Sequence, residues 1–382
     1  MTQSSEPKSF SPLNEHKRLG GKIHIESNAP LTPESLAIFY TPGVAEVSRH
    51  LAKNPSEAPL YTGPTRAVAV VSDGSAVLGL GNVGPQAALP VMEGKAMLFR
   101  ELAGVDAWPI VLSTQDPDEI VAAIKAIAPG FGGINLEDIA APQCFEIERR
   151  LQAELSMPVV HDDQHATAIV TMAGLINALK VVEKELSACR VVINGAGAAG
   201  TAIASLLKSA GAKDIIVLDS KGIIASARQD LNDEKRQLAT LLGTNQSGDL
   251  NDAVKDSDIL IGVSVGGAFT EAHIKAMAKD PIVFAMANPA PEIMPDSAER
   301  AGARVIATGR SDFPNQINNV LVFPGLFKGL IESGKNTFNL SDELRIAQAI
   351  AEIVASPSPQ EIIPSVFDSR VVAAVCQACS VR

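Results

Sequence analysis

From residue 66 to about residue 308 the chain alternates short, apolar, β-branched runs with stretches of helical periodicity, and no other feature restricts its fold so strongly. RAVAVVSDG, DAWPIVLST, FGGINLED and MPVVHDD read as strands. Between them GPQAALPVMEGKAMLFRELAG, PDEIVAAIKAIA and PQCFEIERRLQAEL carry helical spacing, and a long helix is expected from about His165 to Val182. Such a succession builds parallel sheet, because a strand reaches a parallel neighbour only through a crossover, usually a helix. A second series follows in CRVVINGAGAAGTAIASLLKSAG, KDIIVLDS, SDILIGVS, DPIVFAMANP and ARVIATG. At 382 residues the chain is longer than one core usually organises. The expected fold is α/β, with two doubly wound parallel-sheet domains followed by C-terminal helices. Ser341 is the expected cap of DELRIAQAIAEIV, the helix that opens this last segment.

The second series opens on a nucleotide-binding pattern. In NGAGAAG, Gly195, Gly197 and Gly200 stand in GxGxxG spacing directly after the strand RVVI and at the start of a helix. The first glycine permits a tight turn, the second lets the backbone approach a pyrophosphate, and the third lets helix and strand pack closely. The helix N-terminus favours the negative charge. Gly195, Ala196, Gly197, Ala198, Ala199 and Gly200 are therefore candidate dinucleotide contacts. Asp219, at the end of IIVLDS and about 20 residues on, is placed to bond an adenosine ribose. This describes a Rossmann dinucleotide-binding domain, and the cofactor is NAD or NADP. Asp219 favours a free 2′-hydroxyl, whereas Lys221 and Arg228 stand close enough in sequence to receive a 2′-phosphate.

In parallel sheets ligands bind beyond the C-terminal ends of the strands. Those ends, in the first series, carry Asp73, the pair Glu137–Asp138 and the pair Asp162–Asp163. Acids repeated at strand exits repel one another in an empty site, and a divalent cation relieves that repulsion; all-oxygen ligation suits Mg²⁺ or Mn²⁺. A local reading competes, since an Asp at a strand–helix junction often caps the helix that follows. Two adjacent pairs exceed what capping uses. His161 and His165 flank the second pair across the strand-to-helix turn, and are read as hydrogen-bonded supports for the acids rather than as metal ligands.

Two further residues acquire chemistry only in company. Lys95 in VMEGKAMLFREL shares the helical stripe of Val91, Leu98 and Leu102. On an apolar face desolvation lowers its pKa toward that of a general base; on the surface its stem merely snorkels. Tyr40, in SLAIFYTPGVAEV, is one of two tyrosines, and by itself reads as a packed loop residue with a bonded hydroxyl.

Lys and Arg total 32 against 43 Asp and Glu, and the net charge of −11 argues against nucleic acid or an anionic membrane as partner. The N-terminus lacks the apolar core of a secretory signal, and no stretch of about 18 residues is uninterruptedly apolar, so a cytoplasmic protein is expected. Cys144, Cys189, Cys376 and Cys379 are too few and scattered for a disulfide framework. The CxxC of Cys376 and Cys379 reads as two buried small residues on a terminal helix.

Taken together, FYTPGVAEV, SDGSAVLGLGNVGPQAALPVMEGKAMLF, FGGINLEDIAAPQCFEIERRL, MPVVHDDQHATAIV, VVINGAGAAGTAIA, FAMANPAPEIMP and ATGRSDFPNQINNVLVFPGLFKG resemble the malic enzymes, in particular the short bacterial form. The resemblance runs from about residue 14 to 350. It implies that Glu137, Asp138 and Asp163 ligate a divalent metal, Mg²⁺ or Mn²⁺. It makes Lys95 the general base for the malate C2 hydroxyl, with Asp162 as its electrostatic partner, and Tyr40 the general acid at C3. Asn288 and Asn319 match positions that contact substrate and nicotinamide, with Asn318 beside them. Ala166 stands where the family usually has glycine, and Ala76 where the long eukaryotic forms have a carboxylate-binding arginine.

The implied reaction is (S)-malate plus NAD(P)⁺ giving pyruvate, CO₂ and NAD(P)H. The expected domains are 1–164 for substrate and metal, 165–340 for the dinucleotide, and 341–382 as helices packing back on the body. A malolactic enzyme and a non-decarboxylating malate dehydrogenase are the rival enzymes, and a nucleotide-sensing module without catalysis is the rival of another class. The family forms dimers or larger assemblies, and Tyr40 and Lys95 are candidates to act on a partner's metal site.

Overall fold

Every residue of Val68–Ser72 is buried, as a strand covered on both faces requires, and this segment, β1, lies inside a four-stranded sheet. The computed structural model describes residues 11–77 and 79–381; the first ten residues, on which the reading of the amino terminus rests, and Leu78 of the SDGSAVLGLG stretch lie outside the described residues. β1 pairs with β2 (Ala107–Val111) and β3 (Gly133–Leu136), and β4 (Val159–His161) lies beyond β3, all in parallel. Among the described residues four α-helices precede the sheet: α1 (Pro12–Leu19), α2 (Pro33–Phe39), α3 (Val44–Lys53) and α4 (Ala58–Tyr61). None of them buries a residue.

The crossovers are α5 (Pro85–Ala103), α6 (Pro117–Ile127) and α7 (Gln143–Glu154). Helix α5 begins on a proline at its first position and ends at Gly104 in the left-handed conformation, the preferred start and stop. It turns Ala88, Met92, Lys95, Ala96, Phe99 and Ala103 inward, so Lys95 belongs to the buried stripe.

After β4 the chain enters α8 (Asp162–Val182), which starts three residues earlier than the pattern suggested. Asp162 and Asp163 form its first turn, where the helix dipole favours acids, and no side-chain hydrogen bond caps it. Capping therefore does not account for this pair. Among the described residues α8 is the one helix long and apolar enough to span a membrane, but most of it is buried inside the protein.

The second sheet has six strands in the order β10-β9-β8-β5-β6-β7. They are β5 (Arg190–Asn194), β6 (Asp214–Asp219), β7 (Gly222–Ile223), β8 (Ile259–Gly262), β9 (Ile282–Ala285) and β10 (Val305–Thr308). All pairings are parallel except that of the two-residue edge strand β7, which no sequence pattern announced. Helices α9 (Ala198–Ser209), α10 (Asp233–Leu242), α11 (Leu250–Ala253), α12 (Glu271–Lys275) and α13 (Pro295–Arg300) connect or flank them.

Three helices close the chain, α14 (Phe323–Ser333), α15 (Leu340–Ala351) and α16 (Arg370–Ser380). The cap of α15 is Asn339, not Ser341. Asn339 Oδ1 accepts the Ser341 and Asp342 N–H groups at 2.9 and 3.2 Å, and Ser341 is already inside the helix as one of the donors being satisfied. Helix α15 packs on α8 and α16 on α14. One apolar core joins the sheets: Val68 and Phe99 of the first unit, Ile169 and Leu175 of α8, Val191 and Phe284 of the second sheet, and Phe327 of α14.

Candidate active site

The register of the first sheet sets Leu136 beside His161, so the acids that follow them in sequence leave two neighbouring strands side by side. One oxygen from each of Glu137, Asp138 and Asp163 lies within 4.8 Å of the others. Asp138 occupies the left-handed region (φ 53°), which costs a non-glycine residue about 1–2 kcal/mol, and its N–H donates to Asp163 Oδ2 at 2.9 Å. That bond ties the two strand exits together. Asp73 stays apart, its Oδ1 accepting from the Ser75 N–H and hydroxyl at 2.9 and 2.6 Å.

Lys95 reaches this cluster from α5. Its ammonium bonds the carboxylate of Glu137 and meets Asp162 Oδ2 at 2.6 Å, 4.2 Å from the centre of the Phe323 ring. Burial, the largest single influence, disfavours the charge, yet Asp162 and Glu137 outweigh it and hold the Lys95 pKa above the usual lysine value. The expected depression by desolvation is thus reversed: the apolar face is there, but two carboxylates face the lysine across it.

Burial pushes Glu137 well above the usual carboxylate range; Lys95 opposes that, while Asp162, Asp163 and Asp138 add to it. Asp162 is raised by burial and by Asp163, against Lys95. Three crowded carboxylate oxygens, one of them on an acid pushed upward by burial and then by its like neighbours, are the donor set a hard divalent cation fits.

The second unit contributes Asn319, whose Nδ2 donates to Asp162 Oδ2 at 2.6 Å across 157 positions of sequence. Its neighbour Asn318 caps a short 3₁₀ turn, its Oδ1 accepting the Val320 N–H at 3.0 Å. Asn288 opens the turn after β9 and lines a cavity of about 420 Å³ with Gly309, Arg310 and Gln316. Glu292, in the same turn, is fully buried and accepts the Ser264 and Ala287 N–H groups at 2.9 and 3.0 Å. Sequence reasoning missed this brace between the exits of β8 and β9, because a lone Glu among prolines carries no periodicity.

The histidines do not support the acids beside them. His165 lies between Glu148 (3.0 Å) and Glu343 (2.7 Å), so it clasps α7 and α15 to α8. Burial would lower its pKa, but the two carboxylates hold it well above the ordinary value. The His161 ring is 3.9 Å from Asp163, beyond hydrogen-bond reach. Its backbone N–H donates to Glu148 at 2.7 Å.

Tyr40 is not gathered in. It is 67% exposed at the end of α2, and among the described residues no hydrogen bond joins its side chain to the cluster. Among the described residues none bonds the Tyr40 hydroxyl, contrary to expectation, because the side chain stands exposed. Lys95, in contrast, meets the acids within one chain.

The dinucleotide signature lies at the junction of β5 with α9. A Cβ on Gly200 would sit 1.7 Å from the Gly195 carbonyl oxygen, and Gly195 holds φ 128°, so both positions require glycine. Gly195, Ala196 and Gly197 line a cavity of about 450 Å³, while Ala198, Ala199 and Gly200 form the first turn of α9 behind it. Asp219 borders the cavity, and so does Lys235, which the sequence reading did not single out. Burial would raise the Asp219 carboxyl, but bonds from Arg228 and Lys235 hold it below the usual range. Arg228 is therefore engaged by Asp219, and Lys221 pairs with Asp230 at 3.0 Å. Cys379 is buried, but Cys376, expected to be buried with it, is only half-buried, its Sγ 3.7 Å from a Glu332 oxygen.

Residues 21–152 match the family model for the malic enzyme N-terminal domain, and residues 165–381 that for the malic enzyme NAD binding domain. The bifunctional malic/malolactic enzyme of Bacillus subtilis is 52% identical over 373 residues, 96% of this chain and 90% of that protein. The NAD-dependent malic enzyme of Geobacillus stearothermophilus is 53% identical over 364 residues, 94% of this chain and 76% of that one. The solved structure of NAD-dependent malic enzyme from Thermotoga maritima superposes with a TM-score of 0.93 at 46% identity, covering 97% of this chain and 99% of that one. Both family models match in order along a doubly wound α/β chain with a Rossmann unit, and the chain belongs to the malic enzyme family.

Proposed function

We propose that the chain oxidatively decarboxylates (S)-malate to pyruvate and CO₂, reducing NAD⁺ or NADP⁺ with Mg²⁺ or Mn²⁺ bound. One observation carries the reading. Lys95, Asp162, Asn319 and the three-carboxylate cluster converge, and Ala141 and Pro142, just past Asp138, line the dinucleotide cavity.

Glu137, Asp138 and Asp163 would hold the cation, which when bound polarises substrate oxygens as a Lewis acid. Lys95, as the neutral amine, takes the proton of the C2 hydroxyl as hydride leaves C2 for the nicotinamide; a cation held by Glu137 would withdraw one of the two carboxylates that keep the lysine protonated. Asp162, anchored by Asn319, keeps Lys95 Nζ aimed at the reacting oxygen and stabilises the ammonium that forms there. Asn288, Asn318 and Asn319 contact substrate, and Asn288 also the nicotinamide ring. Tyr40 delivers a proton to C3 once CO₂ has left.

For Tyr40 to do this, a second copy must bring it. Leu31, Ile38, Phe39, Tyr40 and Leu60 are 60–85% exposed in a segment whose helices bury nothing, a surface suited to a partner chain. The protein is thus read as a homodimer or larger homo-oligomer working in the cytoplasm, with residues 1–164 serving substrate and metal, 165–340 the dinucleotide, and 341–382 bracing the body.

The decisive assay follows NAD(P)H absorbance and released CO₂ together, with malate, Mn²⁺ and each cofactor. Equal yields of both support the proposal. NAD(P)H without CO₂ indicates a simple dehydrogenase, and CO₂ without net NAD(P)H a malolactic reaction. The name of the Bacillus subtilis relative keeps the latter in view. No signal in either channel would leave a nucleotide-sensing module.

A further inference from the structure

Strand β4 lies at one edge of the first sheet, so every second residue along it points its backbone polar groups away from any neighbouring strand. Two of those groups are met by side chains of α7 one helical turn apart. Gln152 Nε2 donates to the Val159 carbonyl at 3.0 Å, and Glu148 Oε1 accepts the His161 N–H at 2.7 Å. Helix α7 thus stands in for the missing strand and holds the end of β4 in place.

Glu148 does more than cover an edge. Its Oε2 accepts Gln164 Nε2 at 2.9 Å, and His165 Nε2 lies 3.0 Å from its Oε1. One carboxylate, on a residue 5% exposed, therefore grips both the last residue of β4 and the first turn of α8. No residue separates strand from helix and no side-chain hydrogen bond caps α8, so the turn takes its geometry from such outside contacts.

The residues bracketed by this grip are Asp162 and Asp163. Asp162 Oδ2 faces Lys95 Nζ at 2.6 Å, and Asp163 Oδ2 accepts the Asp138 N–H at 2.9 Å, so a shift of the turn disturbs both partnerships. Glu148 itself bonds neither acid.

We propose that Glu148 is a positioning residue of the active site. Through the His161 N–H and the Gln164 amide it sets the place of the Asp162–Asp163 turn, and cation affinity depends on it although it would hold no cation. This rests on the metal reading proposed above and deepens it.

The test is an electron paramagnetic resonance titration of the full chain with Mn²⁺ alone, which needs no turnover. Glu148→Leu keeps the bulk and removes both acceptors; it weakens Mn²⁺ about ten- to a hundredfold, the usual effect of losing a group that orients a ligand. NADH binding is unchanged, because Glu148 does not border the dinucleotide cavity, and shows that the variant is folded. Glu148→Gln still offers an oxygen to the His161 N–H, and its amide can donate to Gln164 once that side chain turns over. It regains most of the Mn²⁺ affinity but, lacking the charge beside His165, little of the stability. Glu343→Gln, which takes the other charge from His165, loses stability and keeps Mn²⁺ affinity. A merely structural role would move Mn²⁺ affinity and stability together in all three variants. Should Glu148→Leu fail to fold, Gln164→Met removes one of the bonds and by itself weakens Mn²⁺. Unchanged Mn²⁺ binding in whichever of these folds, no recovery in Glu148→Gln, or equal weakening in Glu343→Gln would overturn the proposal and leave the metal reading standing. A wild type that binds no Mn²⁺ removes both.

Discussion

Replacing Lys95 by methionine tests the site most directly, because the lysine serves the chemistry and the local charge balance at once. It sits between Glu137 and Asp162, whose side chains are 9% and 1% exposed. Removing one partner of a buried pair costs about 3–5 kcal/mol, since the other is left uncompensated. Here each carboxylate keeps one amide donor, Asn135 Nδ2 to Glu137 at 2.9 Å and Asn319 Nδ2 to Asp162 at 2.6 Å, which places the loss near the lower end, about 3 kcal/mol. Urea unfolding with EDTA present, so that no cation replaces the ammonium, measures it. Turnover of malate falls by about 10²–10⁴ through loss of the base, while NADH binding persists because Lys95 does not border the dinucleotide cavity. A second variant separates the two effects. Lys95→Met with Asp162→Asn removes one stranded charge, and recovers stability without recovering turnover. A single variant that keeps malate oxidation within tenfold of wild type refutes the base assignment. A double variant that regains activity along with stability shows that the lysine acted only as scaffold.

Asp163→Ala removes one of the three clustered carboxylate oxygens, so the Mn²⁺ concentration for half-maximal rate should rise at least tenfold; an unchanged metal titration would defeat the ligand set. Since Lys95 meets the acids within its own chain and Tyr40 does not, co-refolding inactive Tyr40→Phe with inactive Lys95→Ala should restore roughly a quarter of wild-type activity through mixed dimers, whereas a Tyr40 acting in its own chain restores none. His165 is held protonated in the folded state by Glu148 and Glu343, so its contribution, about 1.5–3 kcal/mol, is full below the unfolded value near pH 6.5 and is lost as pH rises through the raised folded value. The stability gap between wild type and His165→Gln is therefore widest near pH 6 and narrows in alkali; a gap that widens with pH contradicts the assignment.

What could be read in advance separates by the range of its cause. Strand exits are local: β3 and β4 must end where their apolar runs end, so Glu137, Asp138 and Asp163 were legible as a cluster once the strands were parallel neighbours. The GxGxxG turn was legible for the same reason, each glycine answering to backbone within a few residues. The start of α8 was misplaced because residues 162–164 are polar and carry no apolar period, while the dipole that makes acids welcome in a first turn leaves no mark on spacing.

The charge state of Lys95 is a different kind of fact. Its stripe on α5 correctly placed it in the interior, and from burial alone the pKa should fall; the sign is reversed by carboxylates 42 and 67 positions away, delivered by two other strands. Asn319 and Lys235 share that character, since each matters only through an acid that tertiary structure brings to it. A carboxylate that already has a cation is chemically unlike one that awaits it. Asp219 illustrates the point: the spacing marks it as a ribose acid, yet in the fold its oxygens already accept from Arg228 and Lys235. Which groups occupy a carboxylate is thus a tertiary fact, which no motif centred on the carboxylate can encode.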